Sequence, residues 1–369
     1  MHPATLALLQ AWRSPLAAAS IPPAHWSTIL GAARRARCAG HLAVRLGRAG
    51  VLADLPAPVR DQFASVAVVV AQRRHALRVQ TAALERALAP LGEAVMLLKG
   101  AAYERAGLAL AEARLPGDVD LLVSPEALDR AEALLRAGGW AAQPLDPYDE
   151  RYYRAWSHEL PPLRHPEGEL EVDLHHALTP ALGGDGVDTP AVFALSRADG
   201  GLRLPDGLDL VVHSALHAFK DTELDGRLRE LMDFDLLVRE LGATDPTAFS
   251  AALLARADAL GAPAGRALRW AARYGCEWLE TPVAWHALPD EPVARRRASL
   301  AWSLPALRSW AMDALVPAAM LPGPAQAPSP AQRAARLALT VRYHLGRMPL
   351  RLLLPHLLHK ARRRLPRDR

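Results

Sequence analysis

Arg114-Leu115-Pro116-Gly117-Asp118-Val119-Asp120-Leu121-Leu122-Val123 is the stretch that decides how this chain is read. Two Asp separated by one apolar residue lead into an apolar run, and that pattern predicts a strand. Successive side chains of a strand point to opposite faces, so Asp118 and Asp120 share one face and Val119 and Leu121 the other. Strand geometry puts the two carboxylates about 7 Å apart. Both can then reach a hard divalent cation such as Mg²⁺, which takes oxygen ligands and is commonly held by one or two carboxylates plus substrate phosphates. Further along, Glu169-Leu170-Glu171-Val172-Asp173-Leu174-His175 alternates and predicts a second strand. Leu170, Val172 and Leu174 face a core; Glu171, Asp173 and His175 face the other side. Three carboxylates on two neighbouring strands, Asp118, Asp120 and Asp173, are the donor set that metal-assisted phosphoryl or nucleotidyl transfer requires.

Upstream stands Leu97-Leu98-Lys99-Gly100, and downstream Pro162-Leu163-Arg164, Asp173-Leu174-His175 and the helix Leu210-Val211-Val212-His213-Ser214-Ala215-Leu216-His217. Together these motifs resemble a bacterial family of nucleotidyltransferases within the DNA-polymerase-β-like superfamily, over roughly residues 90 to 240. The resemblance implies a small mixed sheet, an NTP donor and Mg²⁺ or Mn²⁺ as cofactor. It implies that Asp118, Asp120 and Asp173 hold the metal, and that Asp173 helps deprotonate an acceptor hydroxyl. Lys99 and Gly100 would approach the triphosphate at the start of a helix, where free backbone N–H groups favour anions. Where the superfamily usually has Gly-Ser or Gly-Gly, this chain has Gly100-Ala101, which leaves phosphate contact to backbone N–H groups and Lys99.

Each residue also has a plainer reading. Asp-x-Asp after Gly fits a turn, where Asp bonds its own backbone. Lysine occurs only at Lys99, Lys220 and Lys360 among 44 basic residues. A Lys kept in an Arg-rich chain fits a need for a compact ammonium; the plain alternative is chance. Arg114 reaches a phosphate or pairs with Glu112. His213 and His217, at i and i+4, share a helix face and either line the nucleotide or acceptor pocket or are structural. Their spacing also suits zinc, but no Glu follows His213 and a third ligand is lacking. Asp233 orients His217 or is a surface acid. Tyr148, Tyr152, Tyr153 and Trp156 either stack on a base or cover the edge of the sheet.

With 369 residues, 51% apolar content and 22% charge, the chain is an ordinary globular protein with room for more than one unit. Cys38 and Cys276 have neither metal nor disulfide spacing, which suits a reducing interior. Met1-His2-Pro3 lacks the basic start of a signal peptide, so a cytoplasmic location is expected. The long charge-free stretch Ala314 to Gln332 carries five prolines and reads as a linker rather than a membrane span. Residues 342–369 hold nine basic residues and one acid, a net of +8. The remainder is therefore at −3, and the basic character of the chain gives the core no reason to bind nucleic acid. The mixed apolar and basic run Leu350 to Lys360 either lies on an anionic membrane surface or a partner, or packs on its own domain.

The expected class is α/β (α+β): a small mixed sheet of polymerase-β-like type, with helical regions before and after it. Residues 1–90 read as helices, with the longest at Ala57 to Leu91. Residues 91–205 form the nucleotidyltransferase core, 206–316 a helical region closing the cleft, and 317–369 a Pro-rich linker and basic tail. Within the core, strands are expected at Ala94–Leu98, Asp118–Val123 and Trp140–Pro144. His158–Arg164 and Glu169–His175 should form a hairpin, with helices at Lys99–Ala109 and Pro125–Ala137.

Overall fold

The computed structural model describes residues 2–180, 186–219, 227–284, 315–322 and 328–347. One seven-stranded mixed sheet has the order β3-β4-β5-β2-β1-β7-β6. The strands are β1 (Val95–Leu97), β2 (Asp118–Val123), β3 (Ala141–Ala142), β4 (Leu163–Arg164), β5 (Glu171–His175), β6 (Arg197–Asp199) and β7 (Leu202–Leu204). The two strands read first in the sequence, β2 and β5, lie side by side and parallel near the middle of the sheet. Their register sets Asp118 opposite Glu171, Asp120 opposite Asp173 and Leu122 opposite His175. β1 runs antiparallel to β2 on its other side. From Val119 onward every residue of β2 is buried, as a strand covered on both faces requires.

The helices are α1 (Pro3–Arg13), α2 (Pro23–Arg35), α3 (Ala39–Arg48), α4 (Ala57–Leu88), α5 (Lys99–Arg105), α6 (Leu110–Ala113), α7 (Leu128–Ala137), α8 (Pro147–Ala155), α9 (Thr189–Leu195), α10 (Gly207–Phe219), α11 (Leu228–Leu241), α12 (Pro246–Ala259) and α13 (Ala262–Leu279). α4 packs on β2, α5 and α7. Its buried residues Phe63, Val70, Leu77 and Leu84 recur every seven positions. Val69, beside Val70, is exposed because it lies off that seam. The helices α10 to α13 pack mainly on one another. The first three helices are not a separate layer: α1 packs on α13, and α3 touches both α6 and α11. Asp235 of α11 binds this arrangement, accepting from Trp12 Nε1 at 3.1 Å, Thr281 Oγ1 at 2.6 Å and Arg239 Nε at 2.8 Å.

Several elements are shorter than their sequence pattern suggests. The helix expected over Lys99–Ala109 stops at Arg105, because the chain turns through Gly107 at φ +68° and restarts as α6. The strand expected at Trp140–Pro144 is two residues long; it is the last in the sheet and ends ahead of a proline. The hairpin before β5 is real, but Pro161 and Pro162 interrupt its first arm. What remains is β4 and an isolated antiparallel bridge, Glu159 to His175. The helix over 125–137 opens with a 3-10 turn at Pro125–Ala127 and ends at Gly138.

A further helix, Pro330–Arg347, follows the proline-rich stretch. The segment Leu350 to Lys360 lies outside the described residues, as does most of the basic tail. No described helix is long and apolar enough to cross a membrane.

Candidate metal and nucleotide site

The sheet brings Asp118, Asp120 and Asp173 together. One carboxylate oxygen of each lies within 4.8 Å of the others. Parallel pairing places Asp120 and Asp173 directly across from one another, and the two-residue period returns Asp118 to the same face. Asp120 is buried, while Asp118 and Asp173 are half-buried. Turn chemistry does not account for the pair, since both Asp lie within a strand.

Lys99 sits at the other side of this cluster. It follows β1 at the first position of α5, with φ +44°, a left-handed conformation unusual for a residue other than glycine. The Leu98 N–H donates to Asp120 O at 3.0 Å and pins the end of β1 beside that residue. The buried Lys99 ammonium donates to Asp120 Oδ1. Strained backbone that aims a buried charge at a carboxylate cluster is characteristic of a functional site. Gly100 lies beside it, in a hollow lined by Arg74, Leu77, Glu104, Ala111, Arg114 and Pro116. A Cβ at Gly100 would meet only Pro116 Cβ, at 3.8 Å, so packing does not demand glycine there.

The three carboxylates respond differently to this crowding. Burial works against Asp120, but the Lys99 ammonium and a hydrogen bond from His175 hold its carboxyl well below the usual range. The negative charge of Asp120, and then burial, push the Asp118 carboxyl up. Burial and the charges of Asp120 and Asp118 raise Asp173 to about 8. One ammonium therefore faces three carboxylates, and the excess negative charge is met by retaining protons. An all-oxygen donor set with uncompensated charge fits a hard dication such as Mg²⁺ or Mn²⁺.

A pH dependence follows from this. The Asp173 carboxyl, ordinarily near 3.8, is raised to about 8 in the fold. Its protonated form therefore stabilises the metal-free fold below 3.8, and that contribution is lost as the pH rises through about 8. A cation needs the ionised form, so binding near pH 7 expels a proton. Mg²⁺ affinity is expected to rise by up to about tenfold per pH unit from pH 6 to about 8 and then to level off. Calorimetric titrations in buffers of differing ionisation enthalpy measure both effects; an affinity flat with pH and no proton release would contradict the assignment.

The remaining expected residues fall into two groups. Arg114 does not pair with Glu112. Its Nη1 donates to Asp233 Oδ2 at 2.7 Å, and its guanidinium lies over the Tyr103 ring, 5.7 Å from the centroid. Asp233 is fully buried rather than on the surface, and it also bonds His41 Nε2 at 2.6 Å rather than orienting His217. His213 and His217 lie on α10, His213 buried. His217 Nε2 is 3.2 Å from Arg227 Nη1 and 3.6 Å from Glu230 Oε2. Neither histidine belongs to a cluster able to hold a metal among the described residues. Tyr148, Tyr152 and Trp156 pack edge to face on and beside α8. The Tyr153 hydroxyl is pushed up by burial and by the charges of Glu159 and other acids, Asp173 among them. Glu171 pairs with Arg164.

Sequence reasoning passed over two features. Arg229 at the start of α11 donates to Glu230, and its charge reaches Asp118. His158, Glu159 and His175 form a second cluster whose ligand atoms lie within 4.8 Å of one another. His175 was legible on the Asp173 face of its strand, and Glu159 follows once the hairpin partner of β5 is extended back to residue 158.

A mixed sheet carrying Asp-x-Asp on one strand and a lone Asp on its parallel neighbour has the architecture of a nucleotidyltransferase. The chain belongs to the family described as uncharacterised nucleotidyltransferase, whose model matches residues 22–279. That span takes in α3 and α13 as well as the sheet; α3 packs on α4, α6 and α11, and α13 on α10, α11 and α12. No curated protein and no solved structure matches the chain.

Proposed function

We propose that this protein is a divalent-metal-dependent nucleotidyltransferase, moving a nucleoside monophosphate from an NTP to an acceptor hydroxyl with release of pyrophosphate. The observation that carries the reading is the convergence of Asp118, Asp120 and Asp173 around one buried ammonium. In this reading the three carboxylates hold Mg²⁺ or Mn²⁺, which supplies neutralisation of the triphosphate charge and activation of the attacking oxygen. Asp173 accepts the proton of the acceptor hydroxyl. Lys99 leaves Asp120 for a phosphate oxygen, and Gly100 lets the backbone approach the triphosphate. Arg114 steadies the loop that leads into Asp118, through its pair with Asp233. His213 and His217 present polar groups from α10 toward the nucleotide or the acceptor. The acceptor is a small molecule, a peptide or a protein side chain.

One observation favours a second reading, a non-catalytic nucleotide- or partner-binding protein. The Lys99 ammonium already neutralises Asp120, as a fold relieved of its metal would require. Calorimetry of ATP, GTP, CTP and UTP, each with Mg²⁺, separates the two. The catalytic reading expects metal-dependent binding of at least one NTP, followed by pyrophosphate among the products once an acceptor is supplied. A nucleoside diphosphate product would instead indicate kinase-like transfer at the same carboxylates. Absence of binding by any NTP to folded protein would overturn the catalytic reading.

A further inference from the structure

Beside the carboxylate triad, and joined to it by a single imidazole, lies a group of different chemistry. His175 reaches in two directions. Its Nε2 is 3.0 Å from Asp120 Oδ1, and its Nδ1 is 3.3 Å from Glu159 Oε2. His158 Nε2 approaches that same Glu159 oxygen at 3.3 Å. Both rings are buried, tilted against one another with centroids 5.3 Å apart.

The tautomer of His175 follows from its neighbours. Asp120, ionised against Lys99, can only accept a hydrogen bond, so the Nε2 of His175 carries the proton. In its neutral form the ring turns its Nδ1 lone pair toward Glu159, whose carboxylate also offers only lone pairs. Two acceptors facing each other at 3.3 Å repel unless a proton or a metal ion lies between them. The His158 ring brings a third donor atom to the same point, and all three lie within 4.8 Å of one another.

The backbone holds this group in place before any cation arrives. The His176 N–H donates to His158 O at 2.9 Å, and the Leu160 N–H donates to Leu174 O at 2.9 Å. Glu159 bridges to His175 across the same seam. The ligands are therefore set by the hairpin rather than by a loose loop, which is the preorganisation a metal site needs.

We propose that His158, Glu159 and His175 form a second cation site, taking a zinc-type transition-metal dication in preference to Mg²⁺ and linked to the carboxylate triad through Asp120. Two imidazoles and one carboxylate suit Zn²⁺ and its neighbours, whereas Mg²⁺ prefers oxygen alone. Three protein ligands leave a fourth position for water or a ligand group. Asp120, His175 and the cation form a carboxylate–histidine–metal relay of the kind that fixes ring orientation in metal sites. Occupancy makes the Nε2–H a stronger donor and draws Asp120 away from Lys99, so the second site tunes the first.

The test uses the full chain, stripped with chelator and titrated with Zn²⁺ alone, without nucleotide. Wild type should bind Zn²⁺ with a dissociation constant below about 10 µM. His158→Gln and Glu159→Gln should each weaken it more than about 100-fold, beyond the range of a lost outer-shell partner, while Asp173→Asn changes it less than about tenfold. Mg²⁺ binding should show the opposite pattern, falling in Asp173→Asn and surviving in His158→Gln. Loss of Zn²⁺ binding in Asp173→Asn with none in His158→Gln would place the ion on the triad and overturn the proposal, as would absence of binding by wild type. A measurement on wild type guards against a variant that misfolds. In imidazole nitrogen spectra, Zn²⁺ should shift His175 Nδ1 while Nε2 keeps its proton. A His175 ring protonated on both nitrogens and unmoved by Zn²⁺ would show an imidazolium bridging two carboxylates, and the proposal would fail. Neither result depends on NTP binding, so failure here leaves the proposed transferase activity standing, and failure there leaves this site standing.

Discussion

Asp173→Asn is expected to weaken metal-dependent NTP binding by more than about 100-fold, and turnover by at least about 10³-fold, the scale of losing one preorganised electrostatic stabiliser. Its melting temperature should be unchanged or higher. Both halves follow from the same crowding. Burial and the charges of Asp120 and Asp118 raise Asp173 to about 8, so its ionised form is a liability to the metal-free fold. Asparagine keeps the shape, removes the charge and relieves the repulsion. A residue that costs stability and is nonetheless present serves a ligand. Asp118→Asn should behave alike, because its carboxyl is also pushed up by its neighbours. Asp120→Asn should lose the same binding with a lower melting temperature, since it strips the counter-charge from the buried Lys99 ammonium. The contrast separates this cluster from a structural ion-pair network, in which every neutralisation would destabilise. Wild-type NTP affinity in Asp173→Asn would end the site assignment.

The parts of the site that were legible in the sequence are those encoded by local period. Asp118 and Asp120 share a face because a strand repeats every two residues, and the alternation around Asp173 marks its strand just as plainly. Pairing of the two strands follows from the need to bury Val119, Leu121, Val172 and Leu174 together. Edge elements were less legible, because their length is set by prolines and neighbours rather than by their own pattern. Trp140–Pro144 reduces to two paired residues for that reason. Long-range partners were not legible at all. Nothing local tells that Lys99 turns inward to Asp120, or that Arg114 bypasses nearby Glu112 for Asp233. The first rests on the pairing of β1 with β2, the second on the packing of α11 and α3 against the core, and no residue spacing encodes either.

That packing supports the second large expectation. Asp233→Ala should cost about 3–5 kcal/mol, the range for breaking a buried pair by removing one partner. Asp233 is fully buried and accepts from Arg114 Nη1 at 2.7 Å, with His41 Nε2 at 2.6 Å. Its removal leaves a guanidinium deep in the protein, over Tyr103, with its nearest counter-charge gone. Burial opposes that charge and Asp233 does most to hold it, so the group can neither ionise comfortably nor shed its proton. Against a total stability of about 5–15 kcal/mol, the loss is a large fraction and should be plain in chemical denaturation. The double variant Asp233→Ala with Arg114→Met should recover much of it, because an apolar group of similar length needs no partner. A cycle of the four proteins isolates the coupling. Arg114 stands four residues before Asp118, so the single variant should also weaken Mg²⁺ binding, while the double variant restores stability faster than it restores the metal site. If Asp233→Ala costs less than about 1 kcal/mol, the scale of an exposed pair, then α3, α11 and the strand approach are not held together through this carboxylate.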